Sequence, residues 1–311
     1  MTHKIIEPSE ENLKFACEKL VAGELVAFPT ETVYGLGGNA LENSVAEKIF
    51  AGKNRSKQNP LPICYANFEA AARDVFISKN AELLAEKFLP GPLTLLLKRK
   101  PDSLISKIAR AGLDTICVRI PSHPIAQKIL SAIDFPLAVP SANKSTKISP
   151  TSAKSVSESL NEINELTIID GGPCKIGIES TIIDLTNEQP KILRQGAISE
   201  QEIFEKCSLR FEKIVPSSFK HYATRKKIIA NATEAEKNDA LLAFGKPFEN
   251  CCRYFLNLSE SGDLNEAAAN FFSMLQKLDN TDAEKICIMP VPNIGIGISI
   301  NDRIKKAIEN N

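Results

Sequence analysis

Hydrophobic and polar positions alternate in short blocks along the chain, and the period switches repeatedly between that of a strand and that of a helix. Residues 4–7 read as an edge strand, after which Ser9 caps a helix that sets Leu13, Ala16, Cys17 and Leu20 on one stripe. Leu25 to Phe28 is a short buried strand that stops at Pro29, whose ring nitrogen has no hydrogen to give a ladder. Val45, Ile49 and Phe50 mark a short amphipathic helix ending at Ala51-Gly52, and helical spacing returns around 67–75 and 79–89. Pro90-Gly91-Pro92 introduces a strand at 93–97, another runs from Thr115 to Ile120, and a helix follows from Ser122. A strand at 136–139 opens into the polar stretch 140–152, which leads into a helix. Strands at 166–170 and 180–185 flank the loop GGPCKIGIES, and Ile192-Leu193-Arg194 precedes a helix at 199–206.

From 207 to 226 the periodicity fades into a linker ending in basic residues. Strands at 227–230, 240–244, 254–258 and 285–289 then alternate with helices at 263–278 and 299–309. This order predicts an α/β chain with a mixed sheet over residues 1–206, the linker at 207–226, and a small α/β domain at 227–311. The NIGIG stretch at 293–297 falls short of a G-x-G-x-x-G fingerprint and reads as a turn.

Composition narrows the partners. Lys plus Arg equals Asp plus Glu at 38 each, so any affinity for nucleic acid or membrane has to come from a local patch. The start is too polar for a signal peptide, and no apolar run reaches the ~18 residues of a membrane span. Eight cysteines without a C-x-x-C pair fit free thiols in a reducing cytoplasm, and three histidines leave no His-rich metal site.

The candidate chemistry lies in four polar loops, each read as following an apolar strand: 29–38 (PTETVYGLGG), 53–60 (KNRSKQNP), 140–149 (PSANKSTKIS) and 177–181 (GIEST). In the first, alternation predicts that the hydroxyls of Thr30, Thr32 and Tyr34 face one way, and the glycines are read as turn formers. If the strand ends converge, Lys53, Arg55, Arg119 and Arg194 line one cleft, which suits a ligand with phosphates and a carboxylate. Ser141 and Asn143 either join that cleft or cap a turn, and His123 before Pro124 reads as a helix start. Walker-type and G-x-S-x-G motifs are missing, and Glu31 and Glu179 are the only carboxylates in the four loops. The pattern points to positioning and charge neutralisation, as in nucleotidyl transfer, and to no protein-held metal.

PTETVYGLG, K-x-R with NPL, PGPLT, VRIPSHP, PSAN with a later SPT, GIEST and LRQG follow one another over residues 5–205. In that order and spacing they resemble the YrdC-type threonylcarbamoyl-AMP synthases, and HYA at 221–223 with the small domain resembles the long, two-domain form. The resemblance implies a twisted mixed open sheet of the YrdC type with a small Rossmann-like α/β C-terminal domain. It implies that L-threonine, bicarbonate and ATP give threonylcarbamoyl-AMP and pyrophosphate, with Mg²⁺ held mainly by phosphates and water. The product would pass in the cytoplasm to the machinery that modifies tRNA to N6-threonylcarbamoyladenosine.

Carried over by motif, Lys53 and Arg55 are the catalytic pair facing the ATP phosphates. Thr32, Cys64, Arg119, Val139 and Ser180 contact L-threonine, with Cys64 standing where the family often has histidine. Arg55, Asn59, Thr115, Ser141, Ser149 and Arg194 serve the nucleotide, and His221 and Tyr222 form a lid. The usual glycine-rich start and proline end of the lid motif are missing. The alternative is a non-catalytic module for double-stranded RNA or tRNA, to which a basic concave sheet is also suited.

Overall fold

The computed structural model describes residues 3–212, 222–249 and 252–310. Ten strands of its first part form one mixed sheet: β1 (Lys4–Ile6), β2 (Val26–Phe28), β3 (Gly35–Asn39), β4 (Ile63–Cys64), β5 (Leu93–Lys98), β6 (Thr115–Arg119), β7 (Leu137–Ala138), β8 (Thr167–Ile169), β9 (Thr181–Asp184) and β10 (Lys191–Arg194). Their order across the sheet is β1-β8-β2-β3-β7-β4-β6-β5-β9-β10, so the opening strand does lie at an edge.

Register decides what each face carries. Cys64, Arg119, Thr94 and Ile182 are lateral neighbours on β4, β6, β5 and β9 and share a face. The residues next to them, Ile63, Val118, Leu95 and Ile183, point the other way into the larger apolar core. Helices α2 (Asn43–Lys53), α4 (Lys79–Phe88), α6 (Ala153–Ser159) and α7 (Glu200–Cys207) contribute to that core. On the opposite face α1 (Glu10–Val21) and α5 (Pro124–Ser131) cover Val26, Phe28, Leu137 and Ile169. Further along that face, β6 and β5 carry Arg119 and Thr94 instead, giving the sheet a polar floor.

The remaining strands, β11 (Lys227–Ile229), β12 (Ala240–Ala243), β13 (Tyr254–Asn257) and β14 (Lys285–Ile288), form a parallel sheet in the order β11-β14-β12-β13. Helix α8 (Leu264–Asp279) starts at Asp263, whose carboxylate accepts from the Glu266 N–H, and buries Ala267, Ala268, Phe271, Phe272 and Leu275 along one stripe. Together with α9 (Gly297–Ile308) it builds a second core that is not self-contained: Val33, Ile148 and Ile178 enter it from loops of the first sheet.

Two local expectations need correction. The glycines after Tyr34 do not turn the chain: Gly35 to Asn39 is a strand, antiparallel to β2, and none of its glycines has positive φ. Their role is close packing, because a Cβ on Gly35, Gly37 or Gly38 would lie 2.3 Å from Val139, 2.6 Å from Phe28 or 2.5 Å from Val45. The helix expected at 67–75 is one turn only, α3 (Phe68–Ala71), capped by the Asn67 side chain. At 293–297 a turn with Gly295 at φ 50° leads straight into α9.

Candidate active site

Backbone hydrogen bonds tie three of the polar loops into one unit. The Tyr34 N–H donates to the Pro150 carbonyl and the Ala142 N–H to the Tyr34 carbonyl, joining the first loop to the PSAN segment. Ile176 and Gly177 donate to the carbonyls of Glu31 and Thr32, joining it to GIEST. The fourth loop enters through Lys53 at the end of α2. Lys53 is 1% exposed, and its ammonium donates to the carbonyls of Ser141 and Asn143 at 2.5 Å each.

That geometry gives Lys53 backbone partners that the sequence did not announce. Its charge is directed at the PSAN backbone, and burial followed by the nearby Arg55 charge pulls its pKa well below the ordinary value. Asn54, left-handed at φ 49°, ends the helix and separates Arg55 from it. Arg55 then donates to the Asn59 side chain at 2.6 Å and to the carbonyls of Asn59 and Pro60. Asn59 thus orients the Arg55 guanidinium.

At the end of β6, Nη2 of Arg119 donates to Glu31 Oε1 at 2.8 Å, Thr32 Oγ1 at 2.6 Å and Thr30 Oγ1 at 3.2 Å. The other Glu31 oxygen accepts the Ser122 N–H. Burial alone would lower the Arg119 pKa; Glu31 reverses that and leaves it raised. Its Nε is a buried donor without a hydrogen-bond partner. The two threonine hydroxyls meet at 2.9 Å, but Tyr34 does not join them: its hydroxyl donates to the Gly172 carbonyl at 2.7 Å. The segment turns at Thr30, whose hydroxyl accepts the Thr32 and Val33 N–H groups, so alternation along an extended strand does not apply there.

Cys64 lies directly beside Arg119 on the next strand, fully buried, with burial pushing its thiol up to about 12. Ser180 is held from both sides, by Thr94 at 2.8 Å and by Arg194, which donates to its carbonyl and its hydroxyl at 3.0 Å each. Arg194 lies within electrostatic reach of both Arg55 and Arg119. Burial first, and then Arg194, lowers the Arg55 pKa to about 10. Thr115 shares the face of Arg119, two alternations along β6, with Cys117 between them in reach of Arg55 and Arg194. Val139 donates its N–H to the Pro62 carbonyl and packs its side chain against Gly35.

Ser149 donates to Glu179 Oε1 at 2.7 Å. Tyr222 is buried, stacked on Phe272 at 5.4 Å, whereas His221 lies outside the described residues. His123 caps α5 by accepting the Ile125 N–H. Sequence reasoning assigned no role to Thr94, Cys117 or Glu31; alternation along β6 pointed to Cys117, whereas Thr94 emerges only from the pairing of β5 with β6. It also missed Arg303 of α9, whose guanidinium meets Glu179 Oε2 at 3.0 Å, because no motif marks that position.

Residues 18–196 match the family described as Telomere recombination (Sua5, YciO and YrdC), and residues 211–308 match Threonylcarbamoyl-AMP synthase, C-terminal domain. The chain is 37% identical to the threonylcarbamoyl-AMP synthase of Pyrococcus abyssi, with 96% of this chain and 94% of that protein covered. With the Bacillus subtilis enzyme of the same name it shares 31% identity, over 97% and 94% of the two chains. The crystal structure of P. abyssi Sua5 complexed with L-threonine superposes with a TM-score of 0.88 at 32% identity, covering 100% of this chain and 98% of that one. These likenesses favour an enzyme over a non-catalytic RNA-binding module. The chain belongs to the threonylcarbamoyl-AMP synthase family, in its long form with both the YrdC-type and the C-terminal domain.

Proposed function

We propose that this chain is an L-threonylcarbamoyladenylate synthase, a nucleotidyltransferase in which the polar sheet face holds L-threonine beside ATP. The observation that carries the reading is the meeting of Arg55, Arg119 and Arg194, from three distant segments, around hydroxyls of the PTET and GIEST loops. The threonine amine and bicarbonate combine, with loss of water, into a carbamate. A carbamate oxygen attacks the α-phosphorus of ATP, forming the new P–O bond as the bond to the departing pyrophosphate breaks.

Arg119, steadied on one side by Glu31, offers its remaining N–H groups to the threonine carboxylate, next to Thr32, Ser180, Cys64 and the Val139 backbone. Arg55 and Arg194 offset the charge that grows on the phosphates, with Ser141, Ser149 and Thr115 on the nucleotide side. Lys53 supports them by holding the PSAN backbone in place. Fixing both reactants on one rigid sheet makes the attack effectively unimolecular.

Glu31 and Glu179 are both engaged by arginines, and among the described residues no group of three or more His, Cys, Asp or Glu side chains gathers for a metal ion. In this reading Mg²⁺ would come with the phosphates and water. We assign residues 1–206 to catalysis, 207–226 to a linker with His221 and Tyr222 as lid, and 227–311 to a cover that docks on the site. Among the described residues no helix is long and apolar enough to cross a membrane, and the described cysteines are free thiols, which suits delivery of the product to tRNA-modifying machinery in the cytoplasm.

Pyrophosphate release with ATP, bicarbonate and each amino acid in turn tests the reading, and threonine is expected to stand out. Arg119→Ala is expected to cut threonine-dependent release by ~100-fold or more, the scale of one lost transition-state contact, while ATP still binds. Undiminished turnover in that variant would defeat the assignment.

A further inference from the structure

Arg303 is the largest fully buried side chain among the described residues, and it belongs to α9 of the second sheet's domain. Its Nε and Nη2 donate to Glu179 Oε2 at 3.1 and 3.0 Å, and its Nη1 donates to the Gln195 carbonyl at 2.5 Å. Both acceptors flank functional residues: Glu179 precedes Ser180, and Gln195 follows Arg194. Glu179 uses its other oxygen to accept from Ser149. One helical turn earlier, Ser299 donates to the Gly196 carbonyl at 2.6 Å. The far side of the guanidinium lies 5.8 Å from the Tyr222 ring.

We propose that Arg303 is a positioning residue of the nucleotide side of this site, acting through Glu179 on Ser149 and Arg194, so that the docked C-terminal domain is a working part of the catalytic apparatus. This rests on the synthase reading above. Glu179 has two guanidiniums within electrostatic reach, Arg303 and Arg194. A buried carboxylate needs a cation, and Arg303 supplies one through two N–H groups, the fork of Nε and Nη2, that converge on Oε2. Arg194 is thereby left to Ser180 and to the phosphates. Without Arg303 the carboxylate turns to Arg194, neutralises it and draws Ser149 along. The consequence falls mainly on ATP, because on the threonine side Arg119 is held by Glu31, Thr32 by Arg119, and Ser180 keeps its bond to Thr94.

The test is steady-state pyrophosphate release by the full-length protein, varying ATP and threonine separately, with ATP affinity measured by calorimetry. Arg303→Met is expected to raise KM and Kd for ATP about 10-fold or more while KM for threonine moves less than about 3-fold. Adding Glu179→Gln to that variant removes the competing charge, and ATP affinity is expected to return to within about 3-fold of the unmodified protein. A purely structural role predicts no such rescue. Should Arg303→Met fail to fold, Arg303→Lys keeps the charge, loses the fork, and is expected to show the same ATP-selective defect in smaller measure. Unchanged ATP affinity in both Arg303 variants, or equal losses for ATP and threonine without rescue, overturns the proposal. An unmodified protein that binds ATP but releases no pyrophosphate removes the activity reading alone, and the affinity arm still decides this one.

Discussion

Cys64 and Arg119 show what a single position can disclose. The motif spacing placed both at the site, and the register makes them lateral neighbours. What the sequence could not show is that the thiol sits fully buried in the apolar cluster beneath α1 and α5. With burial pushing it up to about 12, this thiol stays protonated near neutrality. Iodoacetamide at pH 8 is therefore expected to leave Cys64 unmodified in the folded protein and to label it fully in urea, as read by peptide mass mapping. Rapid labelling of Cys64 in the native state would contradict its placement. Lys53 teaches the reverse lesson. Its residue type suggests a phosphate contact, and nothing in the sequence shows that its ammonium also meets carbonyls of the PSAN loop, as a cation in the last turn of a helix is well placed to do. Side-chain direction at a helix end depends on what packs against it, and no local pattern encodes that.

At the level of elements, helices with clear stripes and caps were legible, among them α1, α4 and α8. Strand β3 was not, because glycines supply no side-chain alternation from which to read a period. The GIEST loop adds a second case. Gly177 has φ +74°, and a Cβ there would lie 2.5 Å from the Ala268 carbonyl oxygen and 2.6 Å from the Ala269 Cα of α8. It is thus one of the contact points between the loop and the second domain. Gly177→Ala is expected to destabilise the protein by about 1–3 kcal/mol through backbone strain and the clash with α8. Hydrogen exchange is expected to speed up along the GIEST loop and α8 with β2 and β3 unaffected. Unaltered exchange at α8 would show that the loop tolerates the methyl group.

For the whole molecule, the sequence yielded an α/β fold with a mixed sheet followed by a smaller one, because those follow from element order. The docking of the two did not follow, since Glu179 and Arg303 lie 124 positions apart and only the folded chain brings them together. That pair gives the assembly an acid limit. Burial alone would raise the Glu179 carboxyl, but Arg303 and Arg194 overcome it and bring it from an ordinary 4.5 down to about 2. Below pH 4.5 the unfolded chain takes up a proton that the folded one refuses, so stability present above that pH is lost progressively as pH falls toward about 2. Urea unfolding across this window is expected to show a smaller pH dependence in Glu179→Gln than in the unmodified protein; identical slopes would remove Glu179 as the source. The engagement of Glu31 by Arg119 has a consequence for the substrate's own acid–base state. In the proposed arrangement, an amino acid beside Arg119 would find neither Glu31 nor Glu179 free to pair with its ammonium group, because both are already engaged by arginines. The surroundings favour release of that proton to solvent, and the free amine left behind is the form able to add to carbonic carbon.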